Sequence, residues 1–436
     1  MSIKQQKKFS TKAKLHVTVF FRHYPAVPYI VKWLVICGLI GSCIGSASAG
    51  FLKSLDWVTN YRENHLWLIA GLPIAGLAIG LLYQYLGKDI EAGNNLLIDT
   101  IHNPKEIIPF RMAPFVYICT ITTHLFGGSA GREGTALQMA GAIADQFSKP
   151  FRLNESERKI LIIAAIAAGF GSVFGTPLAG ALFGLEVFLM GRIKYDAIFP
   201  AFASAIIADL ITKSWHVNHT QYHINFIPQI SFLNIVFAVI AGIAFGLCAA
   251  TFSKTIHYTS SMFKAKIKYA PFRPLIGGII VAIAVGAMGT TKYMGLGIPV
   301  IVSSFNEQLP VYVFLLKMAF TILTLAAGFK GGEVTPLFFI GATLGSALSF
   351  IIPLPNGLLA GMGFVAVFAG ATNTPLACSL MAMELFGSEC GIYVAIACVV
   401  SYLLSGHNSV YGRQVVGEAK HTKYTNYTGR RLNELK

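Results

Sequence analysis

Gly131-Arg132-Glu133-Gly134-Thr135 and, 200 residues further on, Gly331-Gly332-Glu333-Val334-Thr335-Pro336 frame the whole chain. Each places a glutamate in a glycine-rich break within a very apolar sequence. A carboxylate at membrane depth is costly and marks function by default. Two of them at matching places point to a transporter built by duplication.

The composition around these breaks is that of a membrane protein. Of 436 residues, 54% are hydrophobic and 12% charged, against about a quarter charged in a soluble domain. Apolar runs at 31–52, 66–85, 112–125, 160–174, 198–210, 231–252, 275–288, 311–327 and 392–404 approach the roughly 20 residues that cross a bilayer. The strand-like alternation of an outer-membrane barrel is missing, so the expectation is an all-α polytopic membrane protein. Lys4, Lys7, Lys8, Lys12, Lys14 and Arg22 open the chain without the short apolar core of a cleavable signal. The net charge of +15 lies in tails and loops. That fits a positive-inside bias and contact with anionic lipid, and argues against a nucleic-acid partner. Seven cysteines (Cys37, Cys43, Cys119, Cys248, Cys378, Cys390, Cys398) lie in or beside apolar runs. They show no metal-type clustering and are expected to be buried free thiols. No metal or cofactor is implied. No metalloprotease His-Glu-x-x-His pair and no nucleophile elbow are expected, so a membrane enzyme is disfavoured.

The chain repeats itself. At an offset of 200, Glu133, Thr135, Leu137 and Gly141 fall on Glu333, Thr335, Leu337 and Gly341. At 198, Thr176-Pro177-Leu178-Ala179 falls on Thr374-Pro375-Leu376-Ala377, and Glu186 on Glu384. At 202, Gly93 of Glu91-Ala92-Gly93-Asn94-Asn95 falls near Gly295 of Gly295-Leu296-Gly297-Ile298-Pro299. The division is a basic segment 1–27, repeats at 28–215 and 230–406, and a segment with a tail at 407–436. Six Lys/Arg precede the first run, five lie in the stretch 254–273, and none lies in 217–229. The positive-inside rule therefore puts the tail and 254–273 in the cytoplasm and 217–229 outside. The C-terminal tail, with Lys420, Lys423, Arg430, Arg431 and Lys436, fits the cytoplasm too. The repeats are then inverted, and such a pair holds its site near midplane, where the halves meet.

The breaks supply the chemistry. Non-helical backbone is tolerated at membrane depth only within protein or along a cavity. A glycine-rich break that opens a helix presents unpaired N–H groups and the positive end of the helix dipole. Several such ends converging bind an anion reversibly, without a full positive charge. For one break, close helix packing is the simpler account; three breaks with polar tips, at Asn94, Glu133 and Glu333, favour a site. Glu133 stands where helix N–H groups meet a carboxylate, so it can occupy the anion site when ionised and leave it when protonated. Arg132 beside it suggests a surface ion pair, although successive helical residues do not face each other. Glu333 would repel an anion unless it titrates or donates a hydrogen bond in its protonated form. Thr335 is either a hydroxyl donor or a helix cap. Tyr411, taken alone, reads as an interface tyrosine. Lys317 is expected to snorkel or attract anions, His124 to be packed and hydrogen-bonded, and Glu186 and Glu384 to cap or pair.

These motifs resemble the CLC family of anion channels and anion/proton antiporters over about residues 30–415. Gly131-Arg132-Glu133-Gly134 resembles its gating-glutamate motif. Gly332-Glu333-Val334-Thr335-Pro336 stands where the family has Gly-x-Phe-x-Pro, and Gly93-Asn94-Asn95-Leu96-Leu97 where it has Gly-Ser-Gly-Ile-Pro. Tyr411 stands at the family's central anion-binding tyrosine. The departures are Asn94 for serine, Val334 for phenylalanine, Thr135 for proline, and the added carboxylate Glu333. This set resembles the fluoride-exporting bacterial branch. The resemblance implies a CLC-like inverted repeat with many tilted and broken helices. It implies Glu133 as gate and proton carrier, Glu333 as central carboxylate, and anion contacts from Asn94, Glu333, Val334, Thr335, Tyr411, Arg132 and Gly134. It further implies a homodimer in the bacterial inner membrane, with both termini cytoplasmic, exchanging fluoride for protons. A chloride/proton antiporter and a passive anion channel are the alternatives. The inner proton-transfer glutamate of chloride/proton members falls on Val187.

Overall fold

The computed structural model describes residues 26–435, so the basic tract from Lys4 to Arg22 lies outside the described residues. Sixteen α-helices fill that span, together with short 3-10 turns and one two-residue pairing. The first eight are α1 (Ala26–Asn64), α2 (Leu72–Leu86), α3 (Asn94–His102), α4 (Met112–Leu125), α5 (Glu133–Asp145), α6 (Glu155–Phe174), α7 (Pro177–Glu186) and α8 (Ile198–Ser214). The second eight follow in the same order of long and short: α9 (Phe232–Lys266), α10 (Phe272–Met288), α11 (Ile298–Asn306), α12 (Tyr312–Ala326), α13 (Val334–Leu348), α14 (Asn356–Thr372), α15 (Pro375–Phe386) and α16 (Gly391–Leu404). The basic stretch 254–273 is mostly not a loop. α9 carries Lys254, Lys264 and Lys266 on its final turns, and only 267–271 connects it to α10.

Helix length follows from sequence. Long apolar runs without breakers give α1 and α9, of 39 and 35 residues. α3 and α11 have nine residues each, roughly 14 Å at 1.5 Å per residue, less than half the roughly 30 Å of hydrocarbon. Such helices end within the membrane, and their termini need partners inside the protein. Pro177 and Pro375 open α7 and α15, where a missing N–H costs nothing.

The halves are locked by reciprocal contacts of the kind a two-fold axis generates. Glu186, at the end of α7, accepts the Leu376 and Ala377 N–H groups at 3.2 and 3.0 Å, capping α15. Glu384, near the end of α15, accepts the Leu178 and Ala179 N–H groups at 3.1 and 2.7 Å, capping α7. The expected capping role of these two glutamates takes this mutual form. α6 and α14 are enclosed along most of their length. Stacked rings bridge the halves: Phe368 of α14 lies against Phe170 of α6 and Phe183 of α7, with ring centres 6.0 and 5.7 Å apart. At the end of α5, Asp145 accepts from both Nε and Nη2 of Arg158, at 2.7 and 2.6 Å, which ties α5 to α6.

After α16 the chain re-enters the protein. Val415–Val416 pairs in parallel with Leu189–Met190. Gln414 donates to Val187 O and Thr372 O, which fixes the segment carrying Tyr411. Six of the seven cysteines are buried free thiols as expected, while Cys43 is exposed.

Candidate functional site

Two of the breaks pair directly. Gly131 N–H donates to Gly332 O at 2.6 Å and Gly332 N–H donates to Gly131 O at 2.8 Å, a single antiparallel bridge. Glycine is required for the approach, because a Cβ on Gly131 would lie 2.9 Å from Gly332 O and from Pro336 Cδ. The N-termini of α5 and α13 therefore meet head to head.

Glu133 takes the N-terminus of α13. Its Oε2 accepts the Thr335 N–H at 3.1 Å, and its Oε1 accepts the Thr335 hydroxyl. Oε2 also accepts the N–H of Arg132 at 3.1 Å. The side chain is fully buried. Thr335 is thus a donor to Glu133, while the N-cap position of α13 belongs to Glu333. Arg132 does pair with its neighbour, Nε to Oε1 at 3.5 Å. The ion pair that the sequence suggested therefore forms, with Arg132 as the N-cap of α5 rather than a residue within it, but around a fully buried carboxylate instead of at the surface. Its Nε has no hydrogen bond. Beyond Glu133 lies a cavity of about 20 Å³ whose lining includes Arg132, His219, Thr335 and Phe338, on the order of one water molecule.

Behind Glu133, polar atoms gather without partners. Asn94 begins α3 after Gly93, whose φ is 59°. A Cβ built on Gly134 would lie 3.0 Å from Asn94 Nδ2 and 3.7 Å from Glu333 Oε2, so these side chains converge on one glycine. Asn94 Oδ1, Glu333 Oε2 and the Tyr411 hydroxyl are all buried and lack hydrogen-bond partners. Tyr411 is 2% exposed and its charged neighbours are Glu333 and Glu133, so it is a central residue and not an interface tyrosine. Val334 is buried at the same helix start. Thr135, in place of proline, pairs its hydroxyl with Thr120 at 2.6 Å. Buried groups that lack partners cost stability, so their gathering here marks a place shaped for something other than folding.

Other expectations change. Lys317 does not snorkel; it is fully buried on the short helix α12 and donates to Tyr293 O and Gly295 O at 3.1 and 2.7 Å. His124 is packed, but neither ring nitrogen has a hydrogen-bond partner. Its backbone carbonyl instead accepts from Arg62 Nη1 at 2.8 Å. Arg62 and Gln414 also hold the breaks in place and went unnoticed in the sequence, which offers only polar residues in apolar surroundings as a signal. Gly127-Gly128-Ser129-Ala130-Gly131 does spell the Gly-x-Ser-x-Gly pattern, a match passed over in the sequence. Ser129 is fully buried, its hydroxyl pairs with Thr321 at 2.9 Å, and it lies between two helices rather than on a strand-to-helix turn. Val187, on which the resemblance places the inner glutamate, is buried, and Glu186 beside it turns to α15.

Broken helices meeting head to head around unpartnered polar groups define a membrane anion-transport protein of the CLC type. Residues 75–406 match the voltage gated chloride channel family, to which this chain belongs. A protein of Pseudomonas syringae named chloride/fluoride channel protein is 54% identical over 401 residues, covering 91% of this chain and 89% of its own. A voltage-gated ClC-type chloride channel of Salmonella typhimurium is 28% identical over 87% of this chain and 97% of its own. The crystal structure of a CLC-type fluoride/proton antiporter superposes with a TM-score of 0.85 at 33% identity, covering 88% of this chain and 97% of that one. A slow cyanobacterial chloride/proton antiporter shares the fold, with a TM-score of 0.75 at 19% identity.

Proposed function

We propose that the chain is a fluoride/proton antiporter of the bacterial inner membrane that exports cytoplasmic fluoride. The observation that carries this reading is the Glu133 carboxylate seated on the Thr335 N–H and hydroxyl, in front of the unpartnered groups of Glu333, Asn94 and Tyr411. When ionised, Glu133 holds the donors that an anion would use. On protonation it gives up most of its attraction for them, and an anion takes its place. Anion and proton then compete for one position, which couples their movement. Fluoride is small and strongly hydrated, so it needs strong donors to replace its water. The hydroxyls of Thr335 and Tyr411 and a protonated Glu333 are such donors, and O–H donors make short bonds to anions. The names of the Pseudomonas relative and the antiporter neighbour support fluoride as cargo. We place both termini in the cytoplasm, from the basic tail and α9 end, and Glu133 on the external side. A homodimer would use the outer faces of α7, α8, α15 and α16, where Leu178, Leu210, Leu376, Ile392 and Leu403 are exposed. The proton gradient would drive export, the potential adding about 2.3 kcal/mol per charge per 100 mV.

Val187 favours a second reading, a passive channel, because no carboxylate stands where chloride/proton members pass protons inward. The test is fluoride, chloride and proton flux in proteoliposomes, for wild type and Glu133→Gln. Antiport predicts fluoride-driven proton movement that Glu133→Gln abolishes. Wild-type fluoride flux without proton movement would establish the channel, and equal chloride and fluoride fluxes would overturn the fluoride specialisation.

A further inference from the structure

A second polar cavity, of about 160 Å³, lies between the end of α2 and the start of α10, away from the site of Glu133. Lys264, Arg273 and Lys330 line it, with Ser260, Tyr83 and a single carboxylate, Glu91. Among the described residues none of the three cations forms an ion pair. Lys330 Nζ sits 3.8 Å from the centre of the Tyr83 ring. Arg273 donates through Nε to Ile267 O at 2.9 Å, which aims its guanidinium along the α9–α10 connection.

Near this cavity the surface has the character of a membrane interface. Tyr85 and Tyr269 are exposed, with their hydroxyls 3.4 Å apart, as expected of aromatic residues at headgroup level. Along α10 the exposed surface is apolar: Ile276, Ile279, Ile280 and Ile283 are 37–66% exposed. Net positive charge at the interface, three cations against one carboxylate, with an apolar helix face running from it, matches an anionic phospholipid: phosphate in the cavity, acyl chains on α10.

The cavity also adjoins both breaks of the transport site. Glu91 stands three residues before Asn94, and Lys330 three residues before Glu333. Gly328 and Gly331 flank Lys330 with φ of 108° and 154°, a backbone open to L side chains only under strain. The 328–332 strap therefore holds Lys330 between two positions that glycine alone adopts readily.

We propose that this cavity binds the phosphate of an anionic phospholipid and, through Lys330, steadies the strap that delivers Glu333. The binding half of this holds whatever the cargo, so it is read without transport. Purified full-length protein is offered equal phosphatidylglycerol and phosphatidylcholine, and retained lipid is measured by native mass spectrometry. Preferential retention of phosphatidylglycerol is expected. It should weaken by roughly fivefold for each of Lys264→Gln, Arg273→Gln and Lys330→Gln, while Lys330→Arg keeps it. Equal retention of both lipids, or an unchanged preference in the triple variant, overturns the site. Complete displacement by millimolar inorganic phosphate would assign the cavity to a soluble oxyanion and overturn the lipid. For the coupling half, anion efflux should be faster from phosphatidylglycerol vesicles than from phosphatidylcholine vesicles, and Lys330→Gln should erase the difference. Persistence of that difference in Lys330→Gln overturns the link to the strap.

Discussion

Glu133 and Thr335, 202 residues apart, are joined by two hydrogen bonds: the Thr335 N–H and hydroxyl both donate to the Glu133 carboxylate. The N–H is one of the unpaired groups that open α13, and its natural partner is negative charge. One carboxylate thereby blocks the helix end that an anion would need.

Removing the Thr335 hydroxyl should weaken both uses of this helix end. Thr335→Val keeps the shape and loses a donor to charged partners. Fluoride efflux from proteoliposomes should fall roughly tenfold or more, and Thr335→Ser should restore it. Wild-type rates in Thr335→Val would take the hydroxyl out of the anion path.

Glu333 should matter for which anion passes. Its Oε2 is enclosed without a partner beside Asn94 and Gly134. Glu333→Ala removes a buried carboxyl that can offer an O–H, so the fluoride-to-chloride flux ratio should drop by roughly tenfold. An unchanged ratio would place selectivity in Asn94, Thr335 and Tyr411 instead.

Stability depends on close crossing of α13 and α14. A Cβ on Gly341 would sit 2.0 Å from the carbonyl oxygen of Gly363, which is backbone and has no room to move aside. Gly341→Ala should cost about 3 kcal/mol and lower the temperature at which detergent-solubilised protein aggregates. Gly286→Ala on α10, where nothing lies within 4 Å, should leave it unchanged.

His219, on the 215–231 connection, gives a pH dependence. Burial first, then the positive charges of Arg132 and Lys213, push it down from 6.5 to about 4. The folded protein therefore binds fewer protons than the unfolded chain across that interval. Stability is full above about pH 6.5 and declines as pH falls toward 4. His219→Gln should flatten that decline, as measured by thermal melts across the window; an unchanged slope would locate its source elsewhere.

The sequence determined a great deal of this protein through local properties. Apolar runs with few charges gave the all-α membrane class, because only helices satisfy every backbone group within one segment in hydrocarbon. Matched motifs at 133 and 333, and at 176 and 374, revealed the duplication. The glycine breaks located Glu133, Glu333 and Asn94, since polar residues in such places are costly without a use. Tertiary structure alone decided what those residues touch. That Glu133 lies on Thr335, that Glu186 and Glu384 cap each other's helices, and that Lys317 binds carbonyls instead of reaching out of the membrane are contacts between distant segments. Such pairings leave no local periodicity; they arise when helices too short to span must find partners for their ends inside the protein.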